Sequence, residues 1–312
     1  MSARASRRHE HLVEETMTIA SSNMSLHSFL RRVERSRSSV LLLDYDGTIA
    51  PFRPDRFRAF PYPGVTELLC EIMETGRTRV AFVTGRRAHD LPPLLDLTPV
   101  PEIWGTHGRE RLNSDGSYQR QAVDKETLEA LYQADLWVDS IQLHHLAEHK
   151  SGSLAVHWRG LSDKEAYEIR HKVLLGWLPI ADRACLTIEH FDGGVELRPA
   201  DCSKADALRA ILAEVPLEAP VAYLGDDEPD ERVFDALRDR GLRVLVRPHW
   251  RATAADVWLR PPAQLLEFLS DWLDATRTTS LEQSCGPSPV TARKEDMVRA
   301  SEMNEPAASD AR

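Results

Sequence analysis

The chain has 312 residues, enough for one large domain or two ordinary ones, and is 42% hydrophobic and 28% charged, as a soluble globular protein would be. Its formal charge is −10, from 49 acidic against 39 basic residues, which argues against broad binding of nucleic acid or anionic membranes but leaves anionic small molecules open. Cys70, Cys185, Cys202 and Cys285 are scattered without a C-x-x-C pair, so neither a disulfide framework nor a zinc site is expected.

Residues 1–24 are polar and mixed in charge and read as a disordered tail. "MSARASRRHEHLVEET" has no apolar region behind its positive charge, and no run in the chain reaches the roughly 20 apolar residues of a membrane helix. The expectation is a cytoplasmic protein. "SLHSFLRRVERS" predicts a short helix leading into the first strand. Apolar runs follow at Val40–Leu43, Val80–Val83, Val221–Leu224, Val244–Val246 and Val257–Leu259, as in strands buried on both faces of a parallel sheet. Helical segments such as "GVTELLCEIMETG" and "DERVFDALRDRG" separate several of them, each ending at glycine. Residues 25–106 and 199–275 thus predict an α/β core, a doubly wound parallel sheet.

Residues 107–198 read differently. "KETLEALYQADLWVDSIQLHHLAEH" and "SDKEAYEIRHKVLLGWL" are helical, the latter with Ser162 as cap. "SLAVHWRG" is a strand and "CLTIEHFDGGVELRP" a hairpin around Asp192, Gly193 and Gly194. An insert of about 90 residues exceeds an ordinary connection and predicts an α+β second domain inserted into the first. From Thr276 to 312 apolar periodicity is lost, and a second disordered tail is expected.

Four core segments turn polar where a strand should surface or a helix open: "LLLDYDGT", "VAFVTGR", "RPADCSKADAL" and "VAYLGDDEPDE". Open parallel sheets bind ligands at the carboxyl ends of their strands, so one crevice would collect Asp44, Asp46, Thr84, Lys204, Asp226, Asp227 and Asp230. Carboxylates so concentrated call for a hard cation, and Mg²⁺ prefers carboxylate, water and phosphate oxygens. The Thr84 hydroxyl, the amides of the Gly47 and Gly85 turns and the Lys204 ammonium suit phosphoryl oxygens. A free carboxylate can attack phosphorus, and a second, two residues on, can protonate the leaving alcohol and then activate water, help typically worth ~10²- to 10⁴-fold.

In order, Asp44-x-Asp46-Gly47-Thr48, Thr84 with Gly85 and Arg86, Lys204, and Gly225-Asp226-Asp227-x-x-Asp230 resemble the four motifs of the haloacid dehalogenase-like phosphatases, from about Ser39 to Leu273. The resemblance implies Asp44 as nucleophile, Asp46 as acid and base, and Mg²⁺ held by Asp44, the Asp46 carbonyl and Asp226. It implies Asp230 supporting the metal or Lys204, and leaves Asp227 as a ligand or a supporting contact. Within the insert, "GTHGRE", "EHK", "LAVHWR" and "VELRP" resemble the trehalose-6-phosphate phosphatase family. That likeness implies sugar and phosphate recognition by His107, Glu110, Glu148, Lys150, His157, Arg159, Glu196 and Arg198, with Gly47, Thr48, Gly85 and Arg86 lining the phosphate site. It also implies a cap that closes over the core and excludes water. Ala205 and Pro229 depart from the family pattern, where Lys-Gly and Thr are usual.

The implied substrate is trehalose 6-phosphate. Sucrose phosphate, mannosyl-phosphoglycerate and glucosylglycerol phosphate are alternatives with the same chemistry, and a phosphosugar mutase or a non-catalytic sugar-phosphate sensor are alternatives of other kinds. A trehalose-6-phosphate synthase is a candidate partner for the tails; the oligomeric state is not specified. Simpler readings stand beside each site residue. Asp44 and Asp46 suit a turn, Thr84 and the 226–231 carboxylates a helix start, and Lys204 a solvated surface. Alternation places His157 and Arg159 on one strand face. Asp192 to Gly194 are expected to serve the hairpin, His144 and His145 a helix surface, and Trp104, Trp158, Trp177, Trp250, Trp258 and Trp272 packing, with sugar stacking an alternative for Trp158.

Overall fold

The computed structural model describes residues 26–284. The expected tail at 1–24 and the end of the second tail lie outside them. Helix α1 spans residues 26–35. β1 (Ser39–Leu43), α2 (Val65–Glu74), β2 (Thr78–Val83), α3 (Pro92–Leu95) and β3 (Glu102–Gly105) follow, then β4 (Glu110–Leu112) and β5 (Tyr118–Arg120). Next come α4 (Lys125–Ser140), β6 (Ala147–Lys150), β7 (Ser153–His157), α5 (Asp163–Ala184), β8 (Leu186–Phe191) and β9 (Gly194–Pro199). The chain finishes with α6 (Lys204–Ala213), β10 (Val221–Gly225), α7 (Glu228–Leu237), β11 (Leu242–Val246), β12 (Val257–Leu259) and α8 (Ala263–Ser284).

Eight strands form one sheet in the order β12-β11-β10-β1-β2-β3-β4-β5, parallel from β12 to β3 and antiparallel beyond. β1 sits near its middle and is buried along its whole length. Leu41 and Leu43 face a core with Leu69, Phe268 and Trp272, from α2 and α8. Val40 and Leu42 face the opposite core, with Leu208, Ile211 and Phe234, from α6 and α7. Strict alternation along an entirely apolar strand thus feeds two helical layers. The doubly wound α/β expectation holds.

The smaller sheet, β6-β7-β9-β8, is antiparallel throughout and packs on α4 and α5 around Val156, Trp177 and Leu197. Ser162 caps α5 in a reciprocal capping box with Glu165, as its spacing predicts. Asp192 and Gly193 form the two-residue turn between β8 and β9, and Gly193 takes a φ of +78° that a side chain would strain.

Several expectations are corrected. β4 and β5 pair onto the larger sheet, so the insert begins after Arg120 and not at 107. "EIWG" is short and bounded by proline, which hid β3 and with it this extension. The predicted helix through His149 stops at Ser140. His144–Leu146 form a 3₁₀ turn and Ala147–Lys150 form β6, because strand pairing with β7 overrides helical propensity. α8 continues past 276 to Ser284, with Thr276 buried and accepting from Arg77 through its carbonyl at 2.5 Å. Trp250 is exposed, not a packing residue.

Trp177 is fully buried in the smaller core, and its indole N–H donates to the Ala134 carbonyl at 3.2 Å. Trp177→Ala is expected to cost about 3–5 kcal/mol in urea unfolding followed by circular dichroism. A loss below about 1 kcal/mol would show that this core does not depend on it.

Candidate active site

Four polar segments meet at the carboxyl edge of the larger sheet. β1 delivers Asp44, β2 delivers Thr84, β10 delivers Asp226, and Lys204 opens α6. After β1 the chain reverses at once, the amides of Ile49 and Ala50 both donating to the Tyr45 carbonyl. Gly47 permits this with a φ of +83°; a Cβ there would fall 2.1 Å from Asp226 Oδ2.

One oxygen from each of Asp44, Asp226 and Asp230 lies within 4.8 Å of the others, and all three residues are buried. Lys204 Nζ donates to Asp44 at 2.7 Å and to Asp230 at 2.8 Å. Asp230 also accepts from the Tyr223 hydroxyl and from the amides of Asp226 and Asp227. Burial alone would raise the Asp230 pKa, but Lys204 and these donors carry it below the usual carboxylate value. Asp44 goes the other way. Its burial outweighs Lys204 and lifts it to about 7. Burial, with repulsion from Asp44, Asp230 and Asp227, raises Asp226 well above its ordinary value. Among the described residues no cationic side chain pairs with the Asp226 carboxylate. A buried cluster of hard oxygen donors, with one ammonium shared among three carboxylates and none on Asp226, fits a divalent cation.

The Thr48 hydroxyl lies 3.4 Å from both Asp44 Oδ2 and Asp226 Oδ1, so it serves the carboxylates and not a ligand. Asp46 turns away from the cluster and takes both prongs of Arg86, each at 2.6 Å. Arg86 therefore clamps Asp46, although it also lines the cavity. Asp230 faces Lys204, with both of its oxygens accepting hydrogen bonds, and one of its oxygens also belongs to the three-carboxylate cluster. Asp227 lies outside the cluster; its Oδ2 accepts the Asp192 amide at 2.7 Å and ties the β8–β9 turn to α7. Thr84 is buried beside the cavity, its hydroxyl accepting from the Arg86 amide at 3.2 Å. At Gly85 a Cβ would crowd the His107 ring, 2.9 Å away.

The insert roofs a cavity of about 420 Å³ above these groups. Glu196 accepts from Lys150 at 2.8 Å and Ser153 at 2.5 Å and bonds the His107 ring at 3.1 Å. Burial would raise the Glu196 pKa, yet Lys150 and His107 hold it well below the usual value. His157 contacts Glu148 at 2.8 Å and is lowered to about 3 by burial and by Lys150, so a neutral ring donates there. Arg159 bonds the Asp192 carbonyl and stacks over Phe52, 4.1 Å from the ring centre. Two expected recognition residues do not reach the cavity. Glu110 accepts the Ala88 amide at 2.7 Å and fixes the loop after β2. Arg198 pairs with Glu189 and caps the Pro199 and Cys202 carbonyls, which anchors the return into the core. Trp158 packs against the small core, away from the cavity.

Other lining residues were not anticipated. Phe52, Arg53, Arg56 and Phe57 lie on a flap after β1, and His145, Phe191 and Asp192 face the same space. Three arginines close behind the double aspartate were the available signal for the flap, without periodicity to place them.

The trehalose-phosphatase family profile matches residues 42–256. The trehalose-phosphate phosphatase of Mycobacterium tuberculosis is 31% identical over 248 residues, covering 75% of this chain and 61% of its own. That of Mycobacterium marinum is 30% identical over 247 residues, 73% of this chain and 60% of its own. This chain therefore spans about three fifths of the length of these relatives. Among solved structures, the C-terminal domain of C. albicans trehalose-6-phosphate phosphatase superposes with a TM-score of 0.66 at 18% identity, covering 80% of this chain and 96% of that one. A haloacid dehalogenase-like hydrolase from Bacteroides thetaiotaomicron gives 0.53 at 17% identity, covering 75% and 98%. The fold is that of the haloacid dehalogenase-like proteins. The chain belongs to the trehalose-phosphatase family.

Since the folded state raises Asp44 and Asp226, the cation-free protein holds their protons more tightly than the unfolded chain. That contribution to stability is present at low pH and lost as pH rises, for Asp44 through about 7. A divalent cation competes with those protons, so it is expected to raise the melting temperature more at pH 8 than at pH 5.5. Equal gains at both pH values in scanning calorimetry would contradict this account of the cluster.

Proposed function

We propose that this chain hydrolyses trehalose 6-phosphate to trehalose and phosphate, with Asp44 as nucleophile. The observation that carries the reading is the Asp44 carboxylate, held by Lys204 beside Asp226 at the floor of a roofed cavity. Family membership supports the substrate.

Asp44 attacks phosphorus and forms an aspartyl-phosphate as the sugar oxygen leaves with a proton from Asp46. Water, deprotonated by Asp46, then attacks the phosphorus and frees Asp44. Lys204 and Thr84 place positive charge and a hydroxyl against the phosphoryl oxygens, where such transfers gather their charge. Asp44, Asp226 and the Asp46 carbonyl would hold Mg²⁺, which would supply positive charge against the phosphoryl oxygens. Asp230 acts through Lys204, whose orientation it fixes. Glu148, Lys150, His157, Arg159 and Glu196 face the cavity as a mixed set of donors and acceptors suited to sugar hydroxyls. The protein is proposed to work in the cytoplasm.

Asp44→Asn is expected to lower kcat for trehalose 6-phosphate by at least ~10⁴-fold while the circular dichroism spectrum is retained. Near-wild-type turnover in that variant would sink the mechanism. Phosphate release from trehalose 6-phosphate, sucrose 6-phosphate, glucose 6-phosphate and mannosyl-phosphoglycerate, with Mg²⁺ and with chelator, tests the substrate. Mg²⁺-dependent preference for the first is expected. Preference for another of the four would keep the core chemistry and overturn the substrate.

A further inference from the structure

We propose that Arg56 is a positioning residue, joining the cap to the proton-transferring Asp46 through the flap between β1 and α2. This rests on the hydrolytic reading above. Arg56 has two attachments that point in different directions. Its guanidinium pairs with Glu148 on β6, which is buried and also holds His157. Its main-chain carbonyl accepts Arg86 Nη1 at 2.7 Å. Arg86 also grips Asp46, with Nε and Nη2 each 2.6 Å from a carboxylate oxygen, and its guanidinium lies over the Tyr45 ring, 5.2 Å from the ring centre. Cap, Arg56, Arg86 and Asp46 therefore form one continuous chain of polar contacts.

The end of the flap is fixed where the Tyr45 hydroxyl donates to the Ala59 carbonyl at 2.6 Å. Between Pro51 and Arg58 its regular structure is a single 3₁₀ turn, Arg56–Arg58, capped by Asp55 on the Phe57 amide. No strand ladder fixes the Arg56 carbonyl. Beyond the Glu148 pair, Arg159 of the cap stacks over Phe52, and Pro54 lies against Gly160. A guanidinium gripped at three of its donors has its plane defined, and the carboxylate it grips is oriented with it. Releasing the flap removes the third anchor, and Arg86 can then swing with Asp46 attached. Proton transfer is sensitive to displacements of this size.

The step affected is the first. The P–O bond to the leaving group breaks, the phosphoryl group passes to an Asp44 oxygen, and the Asp46 proton goes to the departing oxygen. A poor leaving group needs that proton and a good one does not. The test compares kcat/KM for p-nitrophenyl phosphate and phenyl phosphate in wild type, Arg56→Ala, Arg56→Lys and Asp46→Asn. Neither ester carries a sugar, so the comparison does not depend on which sugar phosphate is hydrolysed.

In Arg56→Ala, phenyl phosphate hydrolysis is expected to fall about 10-fold further than p-nitrophenyl phosphate hydrolysis. Asp46→Asn should show a larger gap of the same sign, and Arg56→Lys should recover most of the loss. Arg56→Met keeps the aliphatic stem and supplies the same comparison if the alanine variant melts early. Equal falls on the two esters, or a rise in KM alone, would overturn the proposal and leave Arg56 as packing or as a ligand contact. Wild-type protein that releases phosphate from neither ester and from none of the four sugar phosphates would instead overturn the phosphatase reading, and this proposal with it.

Discussion

Three carboxylates buried around one ammonium are the constraint on which the rest of the site depends. Ionised groups out of water are costly unless paired, and Lys204 is shared between Asp44 and Asp230. Asp230 is settled by four donors, including the Asp226 and Asp227 amides. What remains is an imbalance between Asp44 and Asp226, both raised by burial. In the proposed reaction a cation and an incoming phosphoryl group would answer different parts of it: the cation would supply charge, and the phosphoryl group would supply an electrophile for the carboxylate left free to attack. The sheet makes this arrangement possible, since β1 and β10 are parallel neighbours and end side by side.

Asp46 is treated oppositely. It sits two residues from Asp44 but looks towards the flap, paired with Arg86 and partly open to the cavity. The two aspartates are thus separated by environment, one dry and near a lysine, the other wetter and held by a guanidinium. Such divergence between neighbouring carboxylates suits one to attack and the other to move protons. Above them the cap pairs its acids, Glu196 with Lys150 and Glu148 with His157 and with Arg56 of the flap, so a ligand entering the cavity meets a polar network already in balance.

The core and its catalytic edge were legible because their signals are local. An apolar run followed immediately by aspartate or threonine marks a buried parallel strand and its functional end together, which is how Asp44, Thr84 and Asp226 could be found without coordinates. The Ser162 cap and the Asp192–Gly193 turn were equally local. β3, β4 and β5 were hidden because their pairing partners, not their own residues, make them strands. Glu110 and Arg198 were misplaced for a related reason: a motif names a residue type, while its partner decides the role, here the Ala88 amide and Glu189. Asp227 was drawn towards the cluster by its neighbour Asp226, but adjacent residues at a helix start point apart.

The most direct test of the central claim is to look for the phosphoryl group on Asp44 itself. Wild-type and Asp46→Asn protein would be mixed with substrate, quenched in acid and analysed by peptide mass spectrometry. The account predicts a phosphoryl increment on the peptide carrying Asp44, longer-lived in Asp46→Asn. Steady phosphate release with that peptide never modified would contradict it, and would assign the attack on phosphorus to water.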